Sequence, residues 1–278
     1  GGGRRPAGTA SGGGSALRGE YFRQDEGAGR RDACLPPGSR AMRSRMKRFG
    51  EPLPDWTPPP WPGPMALDGR YVRLEPLAPA HAAPLFAANG TDDAIWDYLP
   101  YGPFATIDAY RDWVTRMAGK PDPLFFALTD RARGTPGGVA SFLRITPESG
   151  SIEVGHICLS PALQRTRAAS EMIFLLADWV FREGYRRFEW KCDALNLPSR
   201  RAAQRFGFSY EGTFRQATVV KGRNRDTAWF AMTDGDWRCL KPAWQAWLDP
   251  RNFDADGRQR QLLGALTAPC RVASDPAG

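Results

Sequence analysis

The feature that most constrains this chain is the run from Ser151 to Cys192. Ser151 to Leu159 reads as a strand. It is followed by a segment from about Thr166 to Arg182 in which Met172, Leu175, Leu176, Trp179 and Val180 recur at i, i+3, i+4, i+7 and i+8. That period is the single buried stripe of an α-helix. Gly184, a residue type that ends helices readily, comes next. Phe188-Glu189-Trp190-Lys191-Cys192 then alternates faces as a strand does. A helix with one apolar stripe, set between strands, needs a sheet to lie on. That selects the layered α/β and α+β plans.

The rest of the chain extends this pattern. Arg70 to Leu77 alternates as a first strand, and His81–Asn89 and Ile107–Met117 read as short helices, the second capped by Thr106 or Asp108. Leu124–Thr129 and Val139–Ile145 read as a hairpin around a turn with Gly134, Pro136, Gly137 and Gly138. A helix from Pro198 to Phe206 stops at Gly207. Strands near Phe208–Gln216 and Arg225–Met232 follow, and then a helix with Trp237, Leu240, Trp244 and Trp247. The expected order is β-α-α-β-β-β-α-β-α-β-β, a mixed, mostly antiparallel sheet flanked by helices.

Boundaries follow from composition. Residues 1–50 are Gly-, Arg- and Ala-rich and are expected to be disordered, because they hold too little apolar surface to offset ordering. Residues 51–66 hold a proline-rich stretch with two Trp, a semi-rigid linker or a strap on the surface. The domain spans 67–248, and 249–278 reads as a loose tail. The net charge of +8 sits in the first 50 residues, which carry ten Arg, one Lys and four acids. The body is nearly neutral, so charge gives no support to nucleic-acid binding by the folded part. No apolar run is long enough to span a bilayer. Five cysteines without a CxxC pair indicate neither a disulfide framework nor a zinc site, which suits a reducing cytoplasm, and two histidines make a His-based metal centre improbable.

Two motifs carry chemistry. The first is the turn Ser160-Pro161-Ala162-Leu163-Gln164-Arg165-Thr166-Arg167-Ala168-Ala169, leading from strand to helix. A helix N-terminus offers unpaired N–H groups and the positive end of a dipole, and both favour phosphate. Small Ala168 and Ala169 leave the backbone open, and Arg165 and Arg167 add charge. The second is Asn196-Leu197-Pro198-Ser199, a helix start, with Gly207-Phe208 at the helix end and Glu211-Gly212 beyond.

In this order and spacing the motifs resemble those of the GNAT acetyltransferase superfamily, in particular its ribosomal-protein N-acetyltransferase branch. Gln164 and Ala169 match the family's phosphate loop, although Arg167 stands where glycine is usual. The resemblance covers about 67–248. It implies the GNAT fold, acetyl-CoA as cosubstrate, and transfer of acetyl to a primary amine of a small molecule or a peptide N-terminus by direct attack. It also implies that the coenzyme arm lies in a gap between Ile157–Leu159 and Trp190–Asp193. Cofactor contacts then fall to Cys158, Leu159, Gln164, Arg165, Thr166, Arg167, Ala168, Ala169, Asn196 and Ser199. Backbone N–H near Cys158 and Leu159 would polarise the thioester. Ser199 is the candidate acid, Cys192 and Glu153 are candidate bases, and Trp96, Tyr98, Tyr101 and Trp229 are candidate walls of the acceptor pocket. Each has a plainer reading: Cys192 a small core residue, Glu153 the partner of an arginine, Ser199 a helix cap and Asn196 a turn residue; His156 is a satisfied strand residue or a substrate contact, and Lys221–Asp226 is a solvated hairpin loop or a contact for an acidic substrate or partner. A catalytically silent coenzyme-binding module and an RNA-associated protein are the competing readings. A homodimer is a candidate assembly.

Overall fold

In a computed structural model of the chain, the described residues are 49–90 and 92–277. The disorder expected for 1–50 thus falls almost wholly outside the described residues. From Leu53 onward the chain forms one folding unit. Eight strands make a single sheet: β1 (Leu67–Asp68), β2 (Val72–Pro76), β3 (Leu124–Asp130), β4 (Pro136–Thr146), β5 (Ser151–Leu159), β6 (Arg187–Asp193), β7 (Ser209–Val220) and β8 (Arg223–Thr233). Their spatial order is β1-β2-β3-β4-β5-β6-β8-β7. Only β5 and β6 are parallel neighbours. The sequence suggested six or seven strands; two-residue β1, too short to alternate, joins at the edge.

Helices α1 (Ala82–Asn89) and α2 (Ile107–Met117) cover one face of the sheet. The other face carries α3 (Arg167–Arg182), α4 (Leu197–Phe206), α5 (Asp234–Leu248) and short α6 (Leu263–Thr267). Strand β3 shows how one sequence serves both layers. Leu124, Phe126 and Leu128 point into the core under α3 and α5, and Phe125 and Ala127 point into the core under α1 and α2.

Strand β5 obeys this parity only in part. Ile152 and Val154 belong to the α3 core, yet Cys158, also even-numbered, belongs to the α1/α2 core. The register against β4 runs Ser141↔Gly155 and then Val139↔Cys158, so β5 carries one extra residue. This bulge includes His156, whose φ of 51° is left-handed. An inserted residue flips every later side chain to the opposite face.

Three expectations need correction. Pro136, Gly137 and Gly138 lie within β4 and not in the turn before it, since Gly138 pairs with Leu159; a Cβ at Gly138 would sit 2.8 Å from the Cys158 carbonyl oxygen, which is why this strand position is glycine. Of the two readings open for the proline-rich stretch, the contacts fit the strap: the Tyr185 hydroxyl donates to the Pro60 carbonyl (3.0 Å).

The segment 249–278 is not loose. Leu263 and Thr267 are buried, Thr267 Oγ1 donates to the Arg205 carbonyl (3.0 Å), and Asp275 forms a buried ion pair with Arg200 (Nε–Oδ2 2.6 Å). Its anchors are polar groups satisfied across long sequence separations, which no local apolar period announces. A disulfide joins Cys239 of α5 to Cys270, against the expectation of none. Residues 31 apart carry no spacing signal of their own; packing of α5 against the C-terminal segment brings them together.

Candidate active site

Parallel pairing of β5 with β6 runs from Ser151↔Arg187 to Val154↔Trp190 and stops. Beyond it, β6 stays with β8 through Asp193↔Thr227, and β5 stays with β4 through Gly138↔Leu159. The two strands therefore part, and the bulge at His156 falls where they do. A cavity of about 500 Å³ opens there, lined by both strands, by Asn196 and Ser199, and by Thr218–Val220 of β7.

The peptide of Leu159 faces this opening. Ser160 N–H donates to the Gly137 carbonyl (2.9 Å), which fixes the antiparallel alternation: Ser160 and Cys158 turn their backbone groups toward β4 and Leu159 turns its own away. The Leu159 carbonyl accepts from Gln164 Nε2 (3.1 Å), so Gln164 braces the strand-to-helix turn. Cys158 is not brought into the gap. Its side chain is buried in the α1/α2 core, and burial pushes its thiol up to about 12.

The turn into α3 leaves donors free. Thr166 is the N-cap, its Oγ1 accepting from Ala169 N–H (3.1 Å). The backbone N–H groups of Arg165, Thr166, Arg167 and Ala168 have no hydrogen-bond partner among the described residues. Arg165 is left-handed (φ 59°), so successive amides curl into a concave donor set suited to an anion. They border a second cavity of about 750 Å³, lined also by Arg205 of α4 and by Asp256–Gln259. Arg205 donates to Ser170 Oγ (3.0 Å) and has no carboxylate partner among the described residues, and burial lowers its affinity for the proton. Arg167 is clamped between two rings, with its guanidinium 4.8 Å from the Tyr71 centroid and 4.7 Å from that of Phe253.

Helix α4 begins beside the gap. Asn196 is its cap, Oδ1 accepting from Ser199 N–H (3.1 Å), so Ser199 is not the cap that one reading of the sequence allowed. Ser199 Oγ instead accepts from Trp190 Nε1 (3.1 Å), which leaves the hydroxyl proton free to be donated. Cys192 is a free, buried thiol. Burial pushes it up, while the Ser199 hydroxyl and the charge of Arg225 act the other way.

Glu153 is 2% exposed and paired twice, with Arg144 Nη1 (2.8 Å) and Lys191 Nζ (2.9 Å). Burial raises its pKa against the pull of those two cations. Arg144 owes its position to a second bulge, between Leu143↔Glu153 and Thr146↔Ser151, where Asp122 accepts from the N–H groups of Arg144 (3.1 Å) and Ile145 (3.2 Å). His156 is not a satisfied strand residue. It stacks on Tyr101, its Nδ1 is buried without a partner, and burial together with Arg144 and Arg225 lowers its pKa to about 4, so the ring is neutral.

The structure thus gathers Glu153, Cys192, Asn196 and Ser199 around one cavity, and Arg165, Thr166, Arg167 and Ala168 around the other. Of the expected acceptor walls, Tyr98 lines the first cavity. Trp96 lies in the aromatic core beneath, Tyr101 stacks behind His156, and Trp229 supports Lys191, whose Nζ stands 3.8 Å from the ring centroid. Sequence reasoning missed Arg205, and it took Arg225 first as part of a solvated loop, with contact to an acidic substrate or partner as the alternative. For Arg225 a signal existed: Arg225, Thr227 and Trp229 share one strand parity, so this arginine faces the same side as Trp229.

A sheet whose parallel pair splits beside a helix N-terminus rich in free amides defines an acyltransferase fold, and comparisons agree. A family model described as an acetyltransferase (GNAT) domain matches residues 72–209. A GCN5-related N-acetyltransferase from Brucella melitensis is 47% identical over 78% of this chain and 100% of that one, with a TM-score of 0.76. A GNAT-family acetyltransferase from Chromobacterium violaceum is 41% identical over 69% of this chain and 98% of that one, with a TM-score of 0.65. The Salmonella typhimurium acetyltransferase that modifies the N-terminal serine of ribosomal protein L7/L12 shares the fold at 21% identity, over 61% of this chain and 99% of that one, with a TM-score of 0.53. No curated protein is a significant match. The chain belongs to the GNAT acetyltransferase family.

Proposed function

We propose that this protein is an acetyl-CoA-dependent N-acetyltransferase acting on a primary amine of a small molecule or a peptide N-terminus. The observation that carries the reading is the parting of β5 and β6 after Val154 and Trp190, with the free amides of residues 165–168 bordering the second cavity, where β5 leads into α3. The residues fit the cosubstrate. The amides of Arg165 to Ala168, with Arg165 and Arg205, would hold the diphosphate. The free N–H of Leu159 would bind the amide-bearing arm as an added strand does. Gln164 and Asn196 would hold the walls of that channel, and Thr166 and Ala169 the helix start.

Attack by the neutral amine forms the new C–N bond and moves the carbonyl electrons onto oxygen. The Leu159 N–H, turned away from β4, would stabilise that oxygen. When the C–S bond breaks, its electron pair stays on sulfur, which would take the Ser199 hydroxyl proton while the attacking nitrogen gives up one of its own to restore the serine. The proton lost by the ammonium leaves through the polar side of the cavity. Cys192 and Glu153 both border that route. Glu153 is ion-paired with two cations and Cys192 is held protonated by burial, so each would act through water and not as a strong free base. The reading carries with it a cytoplasmic location.

The test is release of free thiol from acetyl-CoA with a panel of primary amines, alongside mass analysis of the amide formed. Stoichiometric amide and thiol are expected. Coenzyme binding with no release above background for any amine would instead mark a silent coenzyme-binding module.

A further inference from the structure

Arg225 lines the first cavity from β8 and is its one cation without an ion pair among the described residues. Arg144 is held by Glu153, and Lys191 by Glu153 and Glu189 (Nζ–Oε2 2.7 Å). The Arg225 Nε is buried and makes no hydrogen bond. Arg225 as a whole is half-buried, so the cost falls on this one N–H, shielded from water without a partner, and such a group is commonly satisfied by a ligand.

Its place in the sheet says what it faces. Thr227 pairs with Asp193, the last residue of β6, and Arg225 lies two residues further on, so its side chain projects from the same face just past the end of that strand. Its charge acts on both the His156 ring and the Cys192 thiol, which border the gap from its two sides. The carboxylates nearest to it in sequence and register are engaged elsewhere. Asp193 Oδ1 accepts from Leu195 N–H (2.8 Å), and Asp226 Oδ1 accepts from Gln216 N–H (2.7 Å) and Asn224 Nδ2 (3.0 Å). The same cavity is lined by the apolar side chains of Ile95, Leu99, Leu143 and Val219.

Resting on the acetyl-transfer reading above, we propose that the acceptor is an amino-carboxylate with an apolar side chain, such as a free amino acid, and that Arg225 pairs with its carboxylate while the amine points into the gap between β5 and β6. An arginine offers two parallel N–H donors to a carboxylate and fixes its orientation as well as its charge. A peptide N-terminus has an amide in place of that carboxylate and leaves the guanidinium unpaired.

The experiment compares matched acceptors with the full chain: L-leucine against L-leucinamide, and L-phenylalanine against L-phenylalaninamide, by rate of thiol release from acetyl-CoA. The carboxylates are expected to be preferred on the order of 100-fold in kcat/KM, the scale of a desolvated charge pair losing one member. In Arg225→Gln the ratio of acid to amide should collapse toward unity through KM for the acid, and Arg225→Lys should restore part of it. Equal rates for acid and amide in the wild type, or a preference that survives Arg225→Gln, would overturn the assignment. A preference for the amides would point to peptide N-termini. If no amine supports release, acetyl transfer itself fails. Calorimetric titration of L-leucine and L-leucinamide into wild type and Arg225→Gln then still decides whether Arg225 selects the carboxylate, with binding independent of Arg225 refuting it.

Discussion

The indole N–H of Trp190 donates to the Ser199 hydroxyl oxygen at 3.1 Å, across the mouth of the gap between β5 and β6. The bond sets the direction of the hydroxyl: with one lone pair occupied, the proton turns elsewhere. Ser199→Ala should therefore lower kcat by about 100-fold, the low end for loss of a positioned proton donor, with coenzyme affinity little changed. Trp190→Phe keeps the hydroxyl and loses only its orienting partner, so its effect on kcat should be smaller. Steady-state kinetics with a fixed amine checks both. Equal kcat in wild type and Ser199→Ala would remove Ser199 from the chemistry.

Arg205 stands beside the free amides at the start of α3 without a carboxylate partner among the described residues. Arg205→Ala should weaken acetyl-CoA binding by about tenfold, the scale of one charge-assisted hydrogen bond. Titration calorimetry at low and high salt measures it. The wild type should lose affinity with salt more steeply than the variant.

Arg200 and Asp275 tie α4 to the end of the described chain. Burial alone would raise the Asp275 pKa, but hydrogen bonds from Arg200 and from Ala277 N–H outweigh it and hold the carboxyl below its ordinary value. A depressed folded-state pKa contributes stability that is present above the unfolded pKa of about 4 and is lost as pH falls through the folded value. Thermal melts of the wild type should thus lose stability as the pH drops below about 4, and Asp275→Asn should remove part of that slope. At neutral pH the same substitution strands a buried guanidinium and should cost about 3–5 kcal/mol.

The Cys239–Cys270 disulfide closes a loop of 31 residues between α5 and the C-terminal segment. Reduction, or Cys270→Ser, should cost about 2–4 kcal/mol. Melting with and without reductant, alongside thiol labelling of protein purified under mild conditions, checks this and reports whether the bond is present in the cell.

Much of the fold was legible because it is written in local periods. The stripe from Met172 to Val180 predicted α3, and alternation at Phe188–Cys192 predicted β6. The gap could be located because Asn196 and the turn after Gln164 mark its two ends. The bulges at His156 and Arg144 were not legible, since an inserted residue looks like any other until its partner strand is known. Arg225 was read as part of a solvated loop, because a charged residue next to Asn224 and Asp226 resembles a turn when the neighbouring strand is not in view. The C-terminal segment was misread for a related reason. Asn252, Thr267 and Asp275 stabilise it by meeting the unpaired groups of distant elements or of its own loop, and such matches have no sequence period.

The extra residue in β5 has a mechanical consequence. Before His156 the even-numbered Ile152 and Val154 meet the layer of α3; after it the odd-numbered Ile157 and Leu159 take over those contacts and Cys158 meets the layer of α1 and α2, so one ribbon is clamped in two opposite parities. Neither clamp can be slipped by a single position without turning apolar side chains toward solvent. The orientation of the Leu159 peptide is thereby locked from both ends, and this edge of the cleft has the rigidity that a loop would lack.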